Sequence, residues 1–239
     1  MKSTAKIPWS RVLPEGAVII ASILIAFAID SWWADRQEDI RRNELILELQ
    51  TDLTETLEDL DVAIPAVDKR ISQMLVYFRG IPTIDSVPLA DVRSGFLAAL
   101  DMQDFNATTS SYDSAIASGD IRLVPNVDFK RAMSNFARSQ SILDGINRTY
   151  NDTLTGPAWD IFRQIGDWRI LLYEPSAVPD SDPISKKFEM SESDMREFFS
   201  QPDTVAMTRH MELIKRNQLN FLGELRTSTL EAISALETK

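Results

Sequence analysis

The feature that most constrains this chain is an apolar run near its N-terminus. Residues 16–29 read GAVIIASILIAFAI, interrupted only by Ser22 and bounded by Glu15 and Asp30. As a helix this run is only about 21 Å long, but the stretch 12–33 is about 33 Å long, which spans a hydrocarbon core of about 30 Å. The sequence therefore predicts a transmembrane helix over 12–33, after a short basic tail over 1–11.

Tryptophan residues lie at both ends of the predicted span. Trp9 precedes the apolar run, and Trp32 and Trp33 follow it. Tryptophan rings are enriched at the two membrane–water interfaces of a bilayer. These three residues are therefore the predicted interface belt.

A cleaved secretory signal peptide is the alternative interpretation of the same run. Basic residues precede it, and residues 26–28 (AFA) have the small-x-small pattern of a cleavage site before Ile29. Against cleavage, Pro14 and Glu15 stand where the apolar core of a signal peptide should begin, and an aromatic pair directly follows the run. The pattern favours an uncleaved anchor, with a secreted protein as the alternative.

Basic residues near the span give only a small orientation bias. Three lie on each side, and the amino terminus adds one charge on the N-terminal side: Lys2, Lys6 and Arg11 against Arg36, Arg41 and Arg42. Positive charge is retained in the cytoplasm, and a first hydrophobic segment after a short basic tail usually acts as a signal anchor. We therefore predict a cytoplasmic N-terminus and an extracytoplasmic domain over 34–239.

Small residues within the span fall on two helix faces. The first face, which we name the packing stripe, consists of Ser22, Ala26 and Asp30, and the second small-residue face consists of Ala17, Ala21 and Ala28. Small residues four apart allow two helix backbones to approach closely in lipid. The stripe therefore predicts self-association or a protein partner. The alternative is that alanine and serine are simply common in transmembrane helices and that Asp30 marks the water boundary.

Composition restricts the remaining partners. The net charge is −11, with +2 over residues 1–29, −8 over 30–61 and therefore −5 over the rest. A nucleic-acid surface needs clustered Lys and Arg, so we predict no nucleic-acid partner. Cysteine is absent, which excludes disulfides and thiolate metal sites. About 200 residues remain beyond the span, enough for one domain.

The chain beyond the span has helical periodicity. Apolar residues recur every three or four positions from Ile46 to Phe78, opposite an acidic face, and Pro65 is expected to kink or interrupt this helix. We predict a helix over 89–100, a short helix over 112–118 closed by Gly119, and long helices over 34–79, 126–156 and 203–237. Asn126, Ser191 with Asp194, and Asp203 are the expected N-terminal caps.

The least readable part is residues 157–200. Trp159, Phe162, Ile165 and Trp168 suggest a helix or packed turn, residues 168–174 a short strand, and the prolines of residues 175–183 a loop.

Two segments of the chain resemble a known family. The segments ILIAFAIDSWWADR and TTSSYDSAIASGDIRLVPNVDFKRAMSNFARS are similar to those of an uncharacterised family of bacterial single-span inner-membrane proteins. The matching positions are Ile29, Asp30, Trp32 and the family-like motif Tyr112, Asp113, Ser118 and Gly119. The similarity extends to about residue 140, departs from the pattern at Trp33, and does not include residues 157–200. The resemblance implies a topology but assigns no reaction or ligand.

Catalytic patterns are sparse in this sequence. The single histidine, His210, has no neighbouring His or Cys to build a usual zinc site, so we expect a surface or half-buried helix position. Tyr112 and Asp113 are possible as an acid–base pair, although a capped turn explains them with fewer assumptions. No Gly-rich phosphate loop or HExxH motif is present. We therefore predict no catalytic residue, no metal site and no cofactor.

The predicted architecture is all-α, with one transmembrane helix continuing into an antiparallel helical bundle. The leading functional prediction is a membrane-anchored, non-enzymatic interaction or assembly protein. The alternative is a ligand-binding, sensor-like helical domain, and an enzyme with an unrecognised site comes last. A roomy pocket lined by Tyr112, Trp159 or Trp168 would favour ligand binding, whereas a solid core with an exposed apolar patch would favour a protein partner.

Overall fold

The structure is a computed structural model that describes residues 9–163 and 191–237, with side chains described from Val18 onward. Within these ranges every long element is a helix and no strand occurs, which confirms the predicted all-α class. The predictions for Lys2, Lys6, Ile165, Trp168, the strand over 168–174 and the loop over 175–183 concern residues outside the described ranges. The side chains of Trp9, Arg11 and Ala17 are outside them as well.

The helices are numbered in chain order. They are α1 (Trp9–Gly80), α2 (Leu89–Leu100), α3 (Ser110–Ser118), α4 (Val127–Thr155), α5 (Pro157–Phe162), α6 (Glu192–Ser200) and α7 (Pro202–Glu237). Two 3-10 turns occupy Ile81–Thr83 and Asp120–Leu123. The chain divides into two compact units, named unit 1 (Met1–Thr51 and Ser110–Pro125) and unit 2 (Asp52–Thr109 and Asn126–Lys239).

Several helix ends are set by residues that the sequence identifies. Gly119 has φ 81°, the left-handed conformation predicted for the residue that closes α3. The Asn126 side chain accepts hydrogen bonds from the amides of Asp128 (2.9 Å) and Phe129 (3.1 Å) and so begins α4. Ser191 and Asp194 form a reciprocal capping box at the start of α6.

Two local predictions are corrected by the structure. Helix α1 is not interrupted at Pro65, because Pro65 is exposed, as is Asp61, whose carbonyl the proline leaves without an intrahelical donor. Asp203 is not the cap of α7, because this helix already begins at Pro202, a residue whose missing N–H suits the first helical position.

The core of unit 2 is built around Phe96 on α2. The Phe96 ring, which is fully buried, lies 5.3 Å from the Phe199 ring, 5.7 Å from that of Phe198 and 6.3 Å from that of Tyr77. The Tyr77 hydroxyl donates a 2.7 Å hydrogen bond to the Phe199 carbonyl. These contacts bring α1, α2 and α6 together around aromatic rings that pack edge to face or tilted.

Helices α4 and α7 of unit 2 pack antiparallel. The Asn126 amide at the start of α4 donates to the Ala235 carbonyl near the end of α7 (2.8 Å), and Arg138 pairs with Glu224 (3.5 Å) further along. Phe129, Met133 and Phe136 of α4 are buried at a spacing of three and four residues. On the next turns Leu143 is buried, and Ile142 and Ile146 are half-buried.

Candidate functional site

The N-terminal part of α1 is exposed on all sides. Its large apolar residues between Val18 and Trp33 are each 50% to 68% exposed. Its most apolar 18-residue window has a mean hydropathy of 1.7, and none of that window is buried. By length and composition α1 is the one helix, among the described residues, that can cross a membrane.

The packing stripe, together with Trp32 and Trp33 of the belt, lies on this exposed segment. Ser22, Ala26 and Asp30 are all exposed, as are Ala21 and Ala28 of the second small-residue face. The Ser22 hydroxyl donates to the Val18 carbonyl one turn earlier (2.8 Å), so its polar group has a partner inside the helix. The rings of Trp32 and Trp33 have centroids 6.2 Å apart. Ser22 therefore presents a small side chain on the helix surface, and its hydroxyl proton already has an acceptor within the helix.

The family-like motif forms the end of α3 in unit 1. The Ser118 hydroxyl lies 3.0 Å from the Asp120 carboxylate and accepts from the Asp120 amide (3.3 Å), next to the left-handed Gly119. Tyr112 is half-buried and Asp113 is exposed. Burial, followed by the charge of Asp113, raises the pKa of Tyr112. A tyrosine with a raised pKa is a poorer base near neutral pH, so the geometry supports a helix-ending turn better than an acid–base pair.

A small polar groove lies beside this motif within unit 1. Its volume is about 180 Å³, and it is lined by Arg41, Glu44 and Glu48 of α1 and by Ser111, Ser114 and Ser118 of α3, among others. The α3 residues in the lining are all serine or alanine. Their short side chains leave open the space that larger residues would fill.

A second, wider groove lies between α1 and α2 of unit 2. Its volume is about 350 Å³, and Gln73, Arg93, Ser94, Leu97 and Asp101 contribute to its lining. The helices are close together here, because a Cβ atom on Gly95 would lie 2.5 Å from the Tyr77 Cβ atom. Neither of these two grooves is lined by Tyr112 or Trp159, and Trp168 lies outside the described residues.

The most unusual polar arrangement is at the segment 101–109, which we name the connector because it follows α2 and precedes α3. Side chains from α4 and α7 bind the backbone where α2 ends and the connector begins. Tyr150 donates to the Leu100 carbonyl, Lys215 to the Asp101 carbonyl (2.5 Å) and Gln218 to the Gln103 carbonyl (2.8 Å). Backbone outside helices and strands needs such partners when it is buried.

An ion pair and a hydrogen bond from α1 also hold the connector. The Arg70 guanidinium lies 2.7 Å from the Asp101 carboxylate, and the Thr56 hydroxyl accepts a hydrogen bond from the Thr108 amide (3.1 Å). Sequence reasoning missed this cluster because Lys215 and Gln218 are polar residues on the buried side of α7. The available signal was position: both lie one turn after buried apolar residues, Met211 and Ile214, on the stripe of α7.

A second buried charge on α7 is paired. Glu212 lies 2.7 Å from Arg216 and 3.0 Å from Arg209, and Arg209 also covers the Phe78 ring. Burial raises the pKa of Glu212, but the hydrogen bonds from Arg216 and Arg209 outweigh it, so that the pKa is lowered. His210, on the same helix, is exposed, as the sequence indicates.

In the described parts of the chain, no three His, Cys, Asp or Glu side chains are grouped so as to hold a metal ion. The sequence and the fold also stand apart from known proteins. No family model, no curated protein and no solved structure matches this chain.

Proposed function

We propose that this protein is a membrane-anchored, non-enzymatic interaction or assembly protein of the bacterial inner membrane. In this proposal α1 crosses the membrane once, the N-terminus is cytoplasmic, and the helical domain over 34–239 is periplasmic. The single observation that carries it is that none of the most apolar window of α1 is buried, whereas unit 2 has a buried apolar core. The resemblance to single-span inner-membrane proteins supports the same topology.

An interaction role is supported by where apolar and polar groups lie. Most of the large exposed apolar side chains among the described residues belong to the segment between Val18 and Trp33. This segment also carries the packing stripe and the second small-residue face, on which a partner helix in the membrane can pack closely. The grooves of the two units are open and polar at their margins rather than enclosed and apolar.

Membrane anchorage and topology are tested first. We expect the mature protein to keep Met1 or Lys2 and to remain in the membrane after alkaline carbonate washing. Alkaline phosphatase fused after Lys239 should be active, and a fluorescent protein fused there should be dark. An intact mass that begins at Ile29 would instead support the secreted alternative, and the opposite fusion result would place the domain in the cytoplasm.

The partner is tested by affinity purification in mild detergent followed by mass spectrometry. We expect a protein, or a second copy of this chain, that is recovered with the wild type and is reduced by Ser22→Leu. A partner that is still recovered with the helical domain alone would show that the bundle, and not the span, binds it.

The groove lined by Gln73 and Arg93 is the observation that favours the second candidate, a ligand-binding domain. Binding of a small molecule that is lost on Ser94→Trp would support it.

A further inference from the structure

Lys215 is among the most buried side chains of the described residues, with 1% of its surface exposed. Its ammonium group donates to the Asp101 carbonyl (2.5 Å) and lies 5.3 Å from the centre of the Tyr150 ring. No ion pair joins it to a carboxylate in the described structure, since the Asp101 carboxylate is bound by Arg70. A buried charge with only a carbonyl and a ring face is poorly compensated for its loss of water.

The position of this lysine matters because it holds the connector. The connector lies outside helices and strands. Lys215 and Gln218 bind its Asp101 and Gln103 carbonyls, and Tyr150 binds the Leu100 carbonyl just before it. If the connector separates from the bundle, the Lys215 ammonium loses its carbonyl partner and gains water. Opening of the connector and hydration of the lysine are therefore one event.

We infer that the connector is a proton-coupled latch of unit 2, which opens more readily at neutral pH, when Lys215 is charged, than at alkaline pH, when Lys215 is neutral. A neutral amine still donates to the Asp101 carbonyl and no longer needs water or a counter-ion. The inference goes beyond the proposed function, because it does not depend on membrane anchorage or on a partner.

The direction of the effect follows from proton linkage. Burial, and then the positive charge of Arg70, lower the pKa of Lys215 to about 8 in the closed state, with the charge of Asp101 opposing them. In the open state the pKa returns to about 10.5. Between these values the open state binds more protons than the closed state, so the opening constant falls as pH rises. The two values predict a decrease of about tenfold from pH 7 to pH 9.

The other groups around Lys215 are Arg70 on α1, Asp101 and Asp104 on the connector, Tyr150 on α4, and Glu212 and Arg216 on α7 itself. Burial raises the pKa of Tyr150, so the phenol stays neutral between pH 7 and pH 9. Glu212 has a lowered pKa and stays charged there. Neither Tyr150 nor Glu212 changes its charge between pH 7 and pH 9, so neither accounts for a pH dependence of opening in this range.

The absence of cysteine allows a direct test on the full chain in detergent. Phe105 is the buried apolar residue of the connector, with 5% of its surface exposed, so a Phe105→Cys thiol reacts with a maleimide only when the connector opens. The labelling rate, divided by the rate of the denatured chain at the same pH, gives the opening constant. We expect it to fall about tenfold from pH 7 to pH 9, and less than about twofold when Lys215→Met is added.

A matched thiol at a buried site of α4, Ala132→Cys, reports opening elsewhere in unit 2. We expect it to react much more slowly than Phe105→Cys. Equal rates with equal pH dependence at both sites would overturn the inference, because the effect would then belong to unfolding of unit 2. A flat profile for Phe105→Cys alone would overturn it too, whether or not Lys215→Met folds. An unchanged slope in the presence of Lys215→Met would have the same consequence.

Discussion

Two parts of helix α1 contain similar apolar residues, which are exposed in one part and buried in the other. Between Val18 and Trp33 the large apolar side chains occupy all sides of the helix and are 50% to 68% exposed. In the unit 2 part, Leu53, Leu60, Val67, Ile71 and Met74 are 0% to 4% exposed and recur along one stripe. The other sides there are largely polar or charged.

The difference shows that the apolar content of a helix does not by itself determine whether its side chains are buried in the protein. A stripe that covers one side of a helix is buried when it meets other stripes, and the opposite side keeps its water. A helix that is apolar on every side leaves no side for water, so it needs a protein core around it or a membrane. None of the N-terminal window is buried in this chain, so the described structure supplies no such core around it.

The largest expected effect comes from truncating a phenylalanine side chain, and the same truncation can be compared in the two regions. Phe96→Ala removes a ring that contacts four other aromatic rings in unit 2, and we expect it to lower the free energy of unfolding by about 4 kcal/mol. Phe27→Ala removes the same ring from a side chain that is 68% exposed, and we expect a change of less than about 0.5 kcal/mol. Denaturant titration of the full chain in detergent, followed by circular dichroism, measures both. Similar losses would mean that Phe27 packs against protein.

The next effect, on retention in the membrane, comes from introducing one positive charge at either of two positions of α1. Leu24→Arg places an arginine in the middle of the predicted span, where insertion becomes less favourable by about 3 kcal/mol. Leu47→Arg makes the same change at a side chain that is 65% exposed but lies beyond the belt. We expect carbonate washing to release much of the Leu24→Arg protein and none of the Leu47→Arg protein. Full retention of both variants would contradict a single span over 12–33.

A smaller effect is expected from two glycines of unit 2. The Cβ atom of Gly95→Ala would lie 2.5 Å from the Tyr77 Cβ atom and 2.6 Å from the Gln73 carbonyl, so α1 and α2 must separate, at a cost of about 2 kcal/mol. Gly223→Ala meets nothing within 4 Å and should gain about 0.5–1 kcal/mol from helix propensity. Thermal melting compares the two. Equal melting temperatures would show that the α1–α2 contact is not close.

The smallest effect concerns the packing stripe. Ser22→Leu fills a small position, and we expect it to weaken association of the span by about 1 kcal/mol while leaving insertion intact. Ala21→Leu tests the second small-residue face in the same way, and Ile20→Leu is a control off both faces. A two-hybrid assay of the isolated span in a bacterial membrane measures the association. Equal signals for the three variants, with the span alone and with each recovered partner, would mean that the span is only an anchor.

The predictions that hold are those that depend on neighbouring residues in the chain. The bounds of α2, the left-handed Gly119, the Asn126 cap and the Ser191 capping box all follow from local hydrogen bonds and backbone sterics. Pro65 does not interrupt α1, because water can bind the carbonyl that the missing N–H leaves without a donor on the solvated side of the helix. The local sequence does not show which side of the helix is solvated.

The sequence by itself determined the all-α class, the long helices and the one segment apolar enough to cross a membrane, because periodicity and run length act within a single helix. Only the tertiary structure decided that Lys215 and Gln218 are buried and that their side chains bind the connector. A polar residue on an apolar stripe is acceptable only if another part of the chain supplies its partner. That partner lies more than 100 residues away in sequence, at Asp101 and Gln103, so no local pattern contains it.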